Sequence, residues 1–150
     1  MMNEFLFDGL AEIKHLNIRK EGPEDDKALA VDVKFCGRTD AALCAFFDPQ
    51  LRDFLFTDEV IARPMMVEPI GFTNEIENCD LHLLEKTFTG VKLRKFKIVP
   101  KDGGQIELTF TASFMPLRDE VAILAEYVTD EIHVNARPQP QLDFGGEAQA

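Results

Sequence analysis

Two groups of residues in this sequence have side chains that could support catalysis or metal binding. Cys79 and His82 form an isolated Cys-x-x-His, and Glu24, Asp25 and Asp26 form an acidic run. A Cys–His nucleophile pair needs side chains in contact and a third orienting group, whereas residues three apart on a strand face opposite ways. The acidic run lacks the spaced ligands and the glycine of a calcium loop. We therefore expect a protein that is not an enzyme and that uses no metal and no cofactor.

Basic side chains are concentrated in one predicted strand, "KLRKFKIVPK", residues 92–101. Its cations are Lys92, Arg94, Lys95, Lys97 and Lys101. A matching stretch near the N-terminus carries Lys14, His15, Arg19 and Lys20. A basic groove with phenylalanines suits single-stranded nucleic acid, and lysines on a solvent-facing strand also protect a sheet edge. Both interpretations remain open from the sequence.

The composition indicates one acidic globular domain. The chain has 150 residues and a formal net charge of −11, so as a whole it repels nucleic acid and anionic membranes. That charge serves solubility, or it mimics nucleic acid towards a protein that binds it. The three cysteines, Cys36, Cys44 and Cys79, fit reduced thiols. The N-terminus has no signal-peptide pattern and no stretch is long enough to span a bilayer, so we expect a cytoplasmic protein without a membrane partner.

Two stretches of the chain share a pattern that indicates internal duplication. They are "FDGLAEIKHLNIRKEG" (residues 7–22) and "FTGVKLRKFKIVPKDG" (residues 88–103). The apolar residues Ile13, Leu16 and Ile18 of the first match Leu93, Phe96 and Ile98 of the second. In both sets the first residue has an odd number and the other two have even numbers. Because one extra residue in a strand exchanges its two faces, we expect β-bulges near residues 14–15 and 94–95.

The elements that follow these stretches also match. "ALAVDVKF" (28–35) and "QIELTFTA" (105–112) alternate apolar and polar residues, as strands do. Helical patterns follow in "TDAALCAFF" (39–47), with a Thr39-Asp40 cap and a stop at Asp48-Pro49, and in "RDEVAILAEYVTD" (118–130). Short strands are predicted near 54–56 and 132–134, and further strands within 62–72 and 78–88.

The predicted fold is therefore α+β, mostly antiparallel β with two helices. We expect internally duplicated hairpin–helix–strand units, about 7–57 and 88–136, related by a pseudo-two-fold. They form one domain over residues 1–136, and residues 137–150 form a flexible C-terminal tail.

At "LNIRKEGPEDDKALAVDVKF" (16–35) and "LRKFKIVPKDGGQIELTF" (93–110) the sequence resembles a family of bacteriophage and prophage proteins without an assigned activity. The resemblance covers most of residues 7–136. It implies viral origin and a bacterial host cytoplasm, and it transfers no functional residues.

The tail contains Gln139, Leu142 and Phe144 in the spacing Q-x-x-L-x-F. This resembles the short peptides by which bacterial polymerases and repair proteins dock on the sliding clamp, in which glutamine enters a polar site and two apolar side chains fill a cleft. The commoner form has leucine directly after glutamine, where Pro140 stands here. Alternatively, Leu142 and Phe144 fold back onto the domain core or onto a dimer partner.

These observations predict a phage-type accessory protein that acts by binding in DNA replication or recombination. Its tail would dock on a host protein such as the sliding clamp, and its basic strands would contact single-stranded DNA. One alternative is an acidic inhibitor of a host defence complex, of the anti-CRISPR or anti-restriction type, that mimics DNA. Another is a virion or assembly component. A homodimer remains open.

Overall fold

The computed structural model describes residues 4–65 and 68–140 of the chain. Within these residues the strands are β1 (Phe7–Glu21), β2 (Ala28–Asp40), β3 (Phe56–Thr57), β4 (Val60–Ile61), β5 (Ile70–Phe72), β6 (Ile76–Leu83), β7 (Lys86–Lys101), β8 (Gln105–Phe114) and β9 (Glu131–Pro138). The α-helices in the same ranges are α1 (Cys44–Phe47), α2 (Leu51–Leu55) and α3 (Arg118–Glu126). The protein is thus mostly antiparallel β-sheet with a few short helices, as the sequence predicted.

Six of the strands form a closed sheet. Around it the strands follow the order β1, β2, β8, β7, β6 and β9, and β9 pairs again with β1. Every pairing among these strands is antiparallel, and β5 pairs with β7 on the same edge of β7 as β6 does. Since β2 and β8 are antiparallel neighbours, the helices that follow them lie at opposite ends of the closed sheet.

Both predicted bulges are present. The β1–β2 register shifts between Ile13 and His15, and the β7–β8 register shifts between Arg94 and Lys97. In β7 the bulge places Lys95 at a φ of 60°, a left-handed conformation that non-glycine residues seldom adopt. On either side of it, Leu93 and Phe96 are both fully buried, which confirms the change of parity.

The core fills the inside of the closed sheet and is built on phenylalanine. Phe110 lies at its centre, with its ring centroid 5.4 Å from that of Phe35, 5.7 Å from Phe7 and 5.9 Å from Phe5. These tilted and edge-on arrangements are those that aromatic pairs favour. The apolar faces predicted for β2 and β8 point into this core, since Val31 and Val33 on β2 and every apolar residue of the β8 pattern are buried.

The helical regions correct the sequence prediction in two places. Asp40 does cap the first region, where its side chain accepts a hydrogen bond from the Ala42 N–H at 2.7 Å. The region is a 3-10 turn (Ala41–Leu43) followed by α1, and α2 is an additional helix. The short strand predicted near 54–56 begins later than expected, because α2 continues to Leu55 and β3 spans Phe56–Thr57. The burial of Leu51 and Leu55, four residues apart, favours a helical turn there.

The last strand was predicted correctly near 132–134, and it runs on to Pro138. Beyond it the Gln139 N–H donates a hydrogen bond to the Asn78 carbonyl oxygen at 2.9 Å. Leu142 and Phe144 lie outside the described residues. Within residues 4–65 and 68–140, no helix has both the length and the apolar character needed to cross a lipid bilayer.

Candidate functional site

Three neighbouring depressions lie along the outer face of four adjacent strands, β1, β2, β8 and β7. A central depression of about 440 Å³ lies over β2 and β8. It is joined to a first arm of about 680 Å³ through shared lining residues, Lys34, Lys97 and Thr109. A second arm of about 420 Å³ shares Arg94 with the central depression. We refer to the three depressions together as the outer groove.

Strand alternation determines which side chains reach the outer groove. On β2 the buried faces of Val31 and Val33 leave Asp32 and Lys34 pointing outwards. On β7 the bulge lets Lys97 point outwards while Phe96 points into the core. The bulge therefore brings consecutive basic residues of β7 to one surface.

The outer groove is rich in cations. Among the described residues, lysines and arginines at eight positions line it, out of 16 in the chain, together with five acidic residues. The cations are Lys14, Arg19, Lys34, Arg38, Lys92, Arg94, Lys95 and Lys97. The acids are Glu12, Glu21, Asp32, Glu107 and Glu131. The groove is therefore net positive in a chain of charge −11.

Asp32, the acid of the central depression, is held by its neighbours. Its carboxylate accepts hydrogen bonds from Arg19 Nε at 3.0 Å and Nη2 at 3.1 Å, from Asn17 at 3.1 Å and from the Ser113 hydroxyl at 2.6 Å. Arg94 Nη2 lies 3.6 Å from the same carboxylate. The hydrogen bonds from Arg19 are the main reason that the pKa of Asp32 falls well below its usual range. Asp32 is thus ionised and already paired.

The three lysines of the central depression are not compensated in this way. Among the described residues, Lys34, Lys95 and Lys97 form no ion pair. The buried Nε of Arg94 has no hydrogen-bond partner in the same part of the chain. This arrangement can attract and hold an anionic group.

The five basic residues predicted on β7 fall into three groups. Arg94, Lys95 and Lys97 line the central depression. Lys92 lines the second arm, but Glu75 Oε1 lies 2.9 Å from its Nζ, and this hydrogen bond raises the pKa of Lys92. Lys101, at the end of β7, is not among the residues that line the outer groove.

The sequence analysis missed Lys34 and Arg38 on β2. Lys34 sits on the polar side of the alternating pattern (28–35) whose apolar side was identified correctly, and Arg38 continues the same face of β2 beyond it. The signal was therefore present in the sequence, but it did not show that β2 lies beside β8 and near the basic part of β7. The first basic stretch also contributes, because Lys14, His15 and Arg19 line the groove.

The phenylalanines expected beside the basic strand do not form a stacking surface in the outer groove. Phe96 and Phe110 are fully buried in the core. Phe114 lines the second arm but is only 4% exposed. As far as the described residues form it, the groove thus offers positive charge rather than exposed aromatic rings.

The other candidate residues are separated from the outer groove. Cys79 is buried inside the sheet, and burial raises the pKa of its thiol to about 11. His82 is exposed, with its Nδ1 2.8 Å from the Thr87 hydroxyl, so the two residues do not form a pair. Gln139 is exposed at the end of β9.

Comparisons with protein-family models, with curated proteins and with solved structures found no similar protein.

Proposed function

We propose that the fold is an internal duplication, in which β1, β2, the α1–α2 region and β6 repeat as β7, β8, α3 and β9. The pairings support this proposal. β1 lies between β2 and β9, and β7 lies between β8 and β6. The two remaining contacts, β2 with β8 and β6 with β9, each join equivalent strands. The strand that follows the helix in the first unit is then β6, rather than the one predicted at 54–56.

The strand register supports the same proposal. Lys34 and Thr111 occupy equivalent positions in the matched alternating strands, and they are directly paired across β2 and β8. On the opposite side of the closed sheet, Leu81 pairs with Ala136 across β6 and β9. A pseudo-two-fold axis would pass through both pairs, and it would therefore cross the central depression of the outer groove.

We propose further that the protein is a non-catalytic binding protein that holds single-stranded nucleic acid in the outer groove by its phosphates. The observation that carries this proposal is the convergence of half of the chain's lysines and arginines on one groove. Phosphate contacts are largely independent of base sequence. Since none of the described residues places an exposed aromatic ring in the groove, we expect weak binding that depends strongly on salt.

Two variants of equal charge test this proposal. A groove variant carries Lys34→Gln, Lys95→Gln and Lys97→Gln. An off-groove variant carries Lys20→Gln, Lys101→Gln and Arg118→Gln, which are not among the residues that line the outer groove. Fluorescence anisotropy with a labelled single-stranded oligonucleotide would measure affinity as a function of salt.

Each phosphate contact with a single strand contributes about −0.7 to the slope of log affinity against log salt. The groove variant should therefore lose about 2 from the slope, whereas the off-groove variant should keep the slope of the unmodified protein. An equal loss in both variants would mean that net charge, not the groove, determines binding. No binding by the unmodified protein at low salt would contradict the proposal.

The proposed role in replication or recombination also includes docking of the tail on a host protein. Gln139 is exposed, and its own backbone N–H is hydrogen-bonded to Asn78 of β6. The Q-x-x-L-x-F segment therefore begins where the folded sheet ends. A pull-down from bacterial lysate, with and without residues 139–150, tests this part. Recovery of the sliding clamp only with the intact tail would support it, and recovery of a nuclease complex would favour the acidic inhibitor instead.

A further inference from the structure

We propose that the central depression is a defined binding site for one phosphate group. This inference rests on the proposed function in one respect, namely that the phosphate belongs to a nucleic-acid strand. The site would be formed by Lys34, Lys95 and Lys97, with Arg94 at its edge. The outer groove as a whole could bind a polyanion by diffuse electrostatic attraction alone. At the central depression, by contrast, one position would recognise a single phosphate.

The charges at the central depression are not balanced. Four lysines and arginines and one acid line the central depression. The acid, Asp32, is occupied by Arg19, which reaches it from the side of the second arm. The three lysines that line the depression form no ion pair among the described residues. A bound dianion would supply the missing charge.

The lining of the central depression includes a buried polar residue. Thr111 lines the depression and is only 8% exposed, although it is a polar residue. Thr109 lies beside it on β8. Hydroxyl groups at the base of a basic depression can donate hydrogen bonds to phosphate oxygens. A volume of about 440 Å³ lies within the range of small-ligand sites.

The β7 bulge places two lysines at the central depression. It gives Lys95 a φ of 60°, a conformation in which glycine is favoured. It also brings Lys95 and Lys97 to the same depression. The bulge therefore accounts both for the backbone of Lys95 and for the concentration of charge at this position.

The proposed axis gives the site its particular composition. The central depression is lined by equivalent positions of the two units, among them His15 with Lys95 and Lys34 with Thr111. Asn17 is likewise equivalent to Lys97. Each of these pairs contributes at least one basic side chain, so both units supply charge to a single site.

Isothermal titration calorimetry with inorganic phosphate, pyrophosphate and a nucleoside monophosphate would test the site. The groove variant and the off-groove variant serve as matched proteins. We expect one phosphate-bearing ligand per chain on the unmodified protein and on the off-groove variant. A charge-assisted hydrogen bond contributes about tenfold in affinity, so the groove variant should bind at least tenfold more weakly. Circular dichroism would confirm that both variants remain folded.

The outcomes separate this inference from the proposed function. Salt-dependent oligonucleotide binding with no binding of any of the three small ligands would overturn the phosphate site and leave the groove proposal standing. Binding of phosphate or pyrophosphate without oligonucleotide binding would support the site and contradict the nucleic-acid function. Phosphate binding that survives unchanged in the groove variant would overturn the assignment to Lys34, Lys95 and Lys97.

Discussion

Replacing Asp32 by asparagine should destabilise the protein measurably and in a way that depends on pH. The Asp32 side chain is 14% exposed and accepts four hydrogen bonds, two of them from Arg19. Hydrogen bonds to a charged group contribute about 1.5–3 kcal/mol each. Arg19 is partly exposed, which weakens its share, so we expect a total loss of about 2 kcal/mol. In a chain of this size that lowers Tm by about 4–8 °C.

The pH dependence follows from the lowered pKa of Asp32. A carboxyl group whose pKa is lower in the folded state stabilises the protein above its unfolded pKa, about 3.9, and this stabilisation is lost as pH falls towards the folded value. The difference in unfolding free energy between the unmodified protein and Asp32→Asn should therefore be constant from pH 7 to pH 5 and smaller at pH 3. Urea unfolding at these three pH values measures it.

Asp25→Asn is the matched control, because Asp25 is exposed in the β1–β2 connection and should unfold like the unmodified protein. A difference below about 0.5 kcal/mol for Asp32→Asn at pH 7, the range of ordinary surface substitutions, would refute the reasoning. So would a difference that does not shrink at pH 3.

Three further predictions concern packing, strain and the tail. Gly37→Ala should lower the unfolding free energy by about 1–3 kcal/mol, because an added Cβ would lie 2.5 Å from a β1 carbonyl oxygen. Urea unfolding measures this loss, and Gly71→Ala is the control, because a Cβ added there would lie no closer than 3.9 Å to its nearest neighbouring atom. Lys95→Gly should raise that free energy by up to about 1 kcal/mol, by relieving the positive φ, and should weaken oligonucleotide binding in anisotropy. Replacing Leu142 and Phe144 together with alanine should abolish binding to purified sliding clamp on a sensor surface and leave Tm unchanged, whereas a lower Tm would indicate that they fold back onto the domain.

Local patterns in the sequence were sufficient to predict the strands that form the core. β2 and β8 alternate strictly because one face of each is buried, so the apolar positions show both the strand and its orientation. The bulges were predictable because the change of parity leaves a trace in the spacing of Leu93 and Phe96. The segment around Phe54 was ambiguous, since its apolar residues fit both a strand and a short helix, and the helix α2 formed there.

The composition of the outer groove depended on contacts that the sequence does not display. Lys34 becomes part of a basic site only because β2 pairs with β8, which is distant in sequence. The compensation of Lys92 likewise depends on Glu75, which precedes the neighbouring strand β6. Local alternation indicates which residues point outwards, but only the long-range pairing of strands shows which of them meet.

Lysine modification in the presence of nucleic acid tests the central claim most directly. The folded protein is treated with an amine-reactive reagent with and without excess single-stranded oligonucleotide at low salt, and the modified residues are quantified by mass spectrometry. The outer-groove account predicts protection of Lys34, Lys95 and Lys97, and no protection of Lys20 and Lys101. Equal modification of all five lysines with and without the oligonucleotide, or protection confined to Lys20 and Lys101, would contradict it.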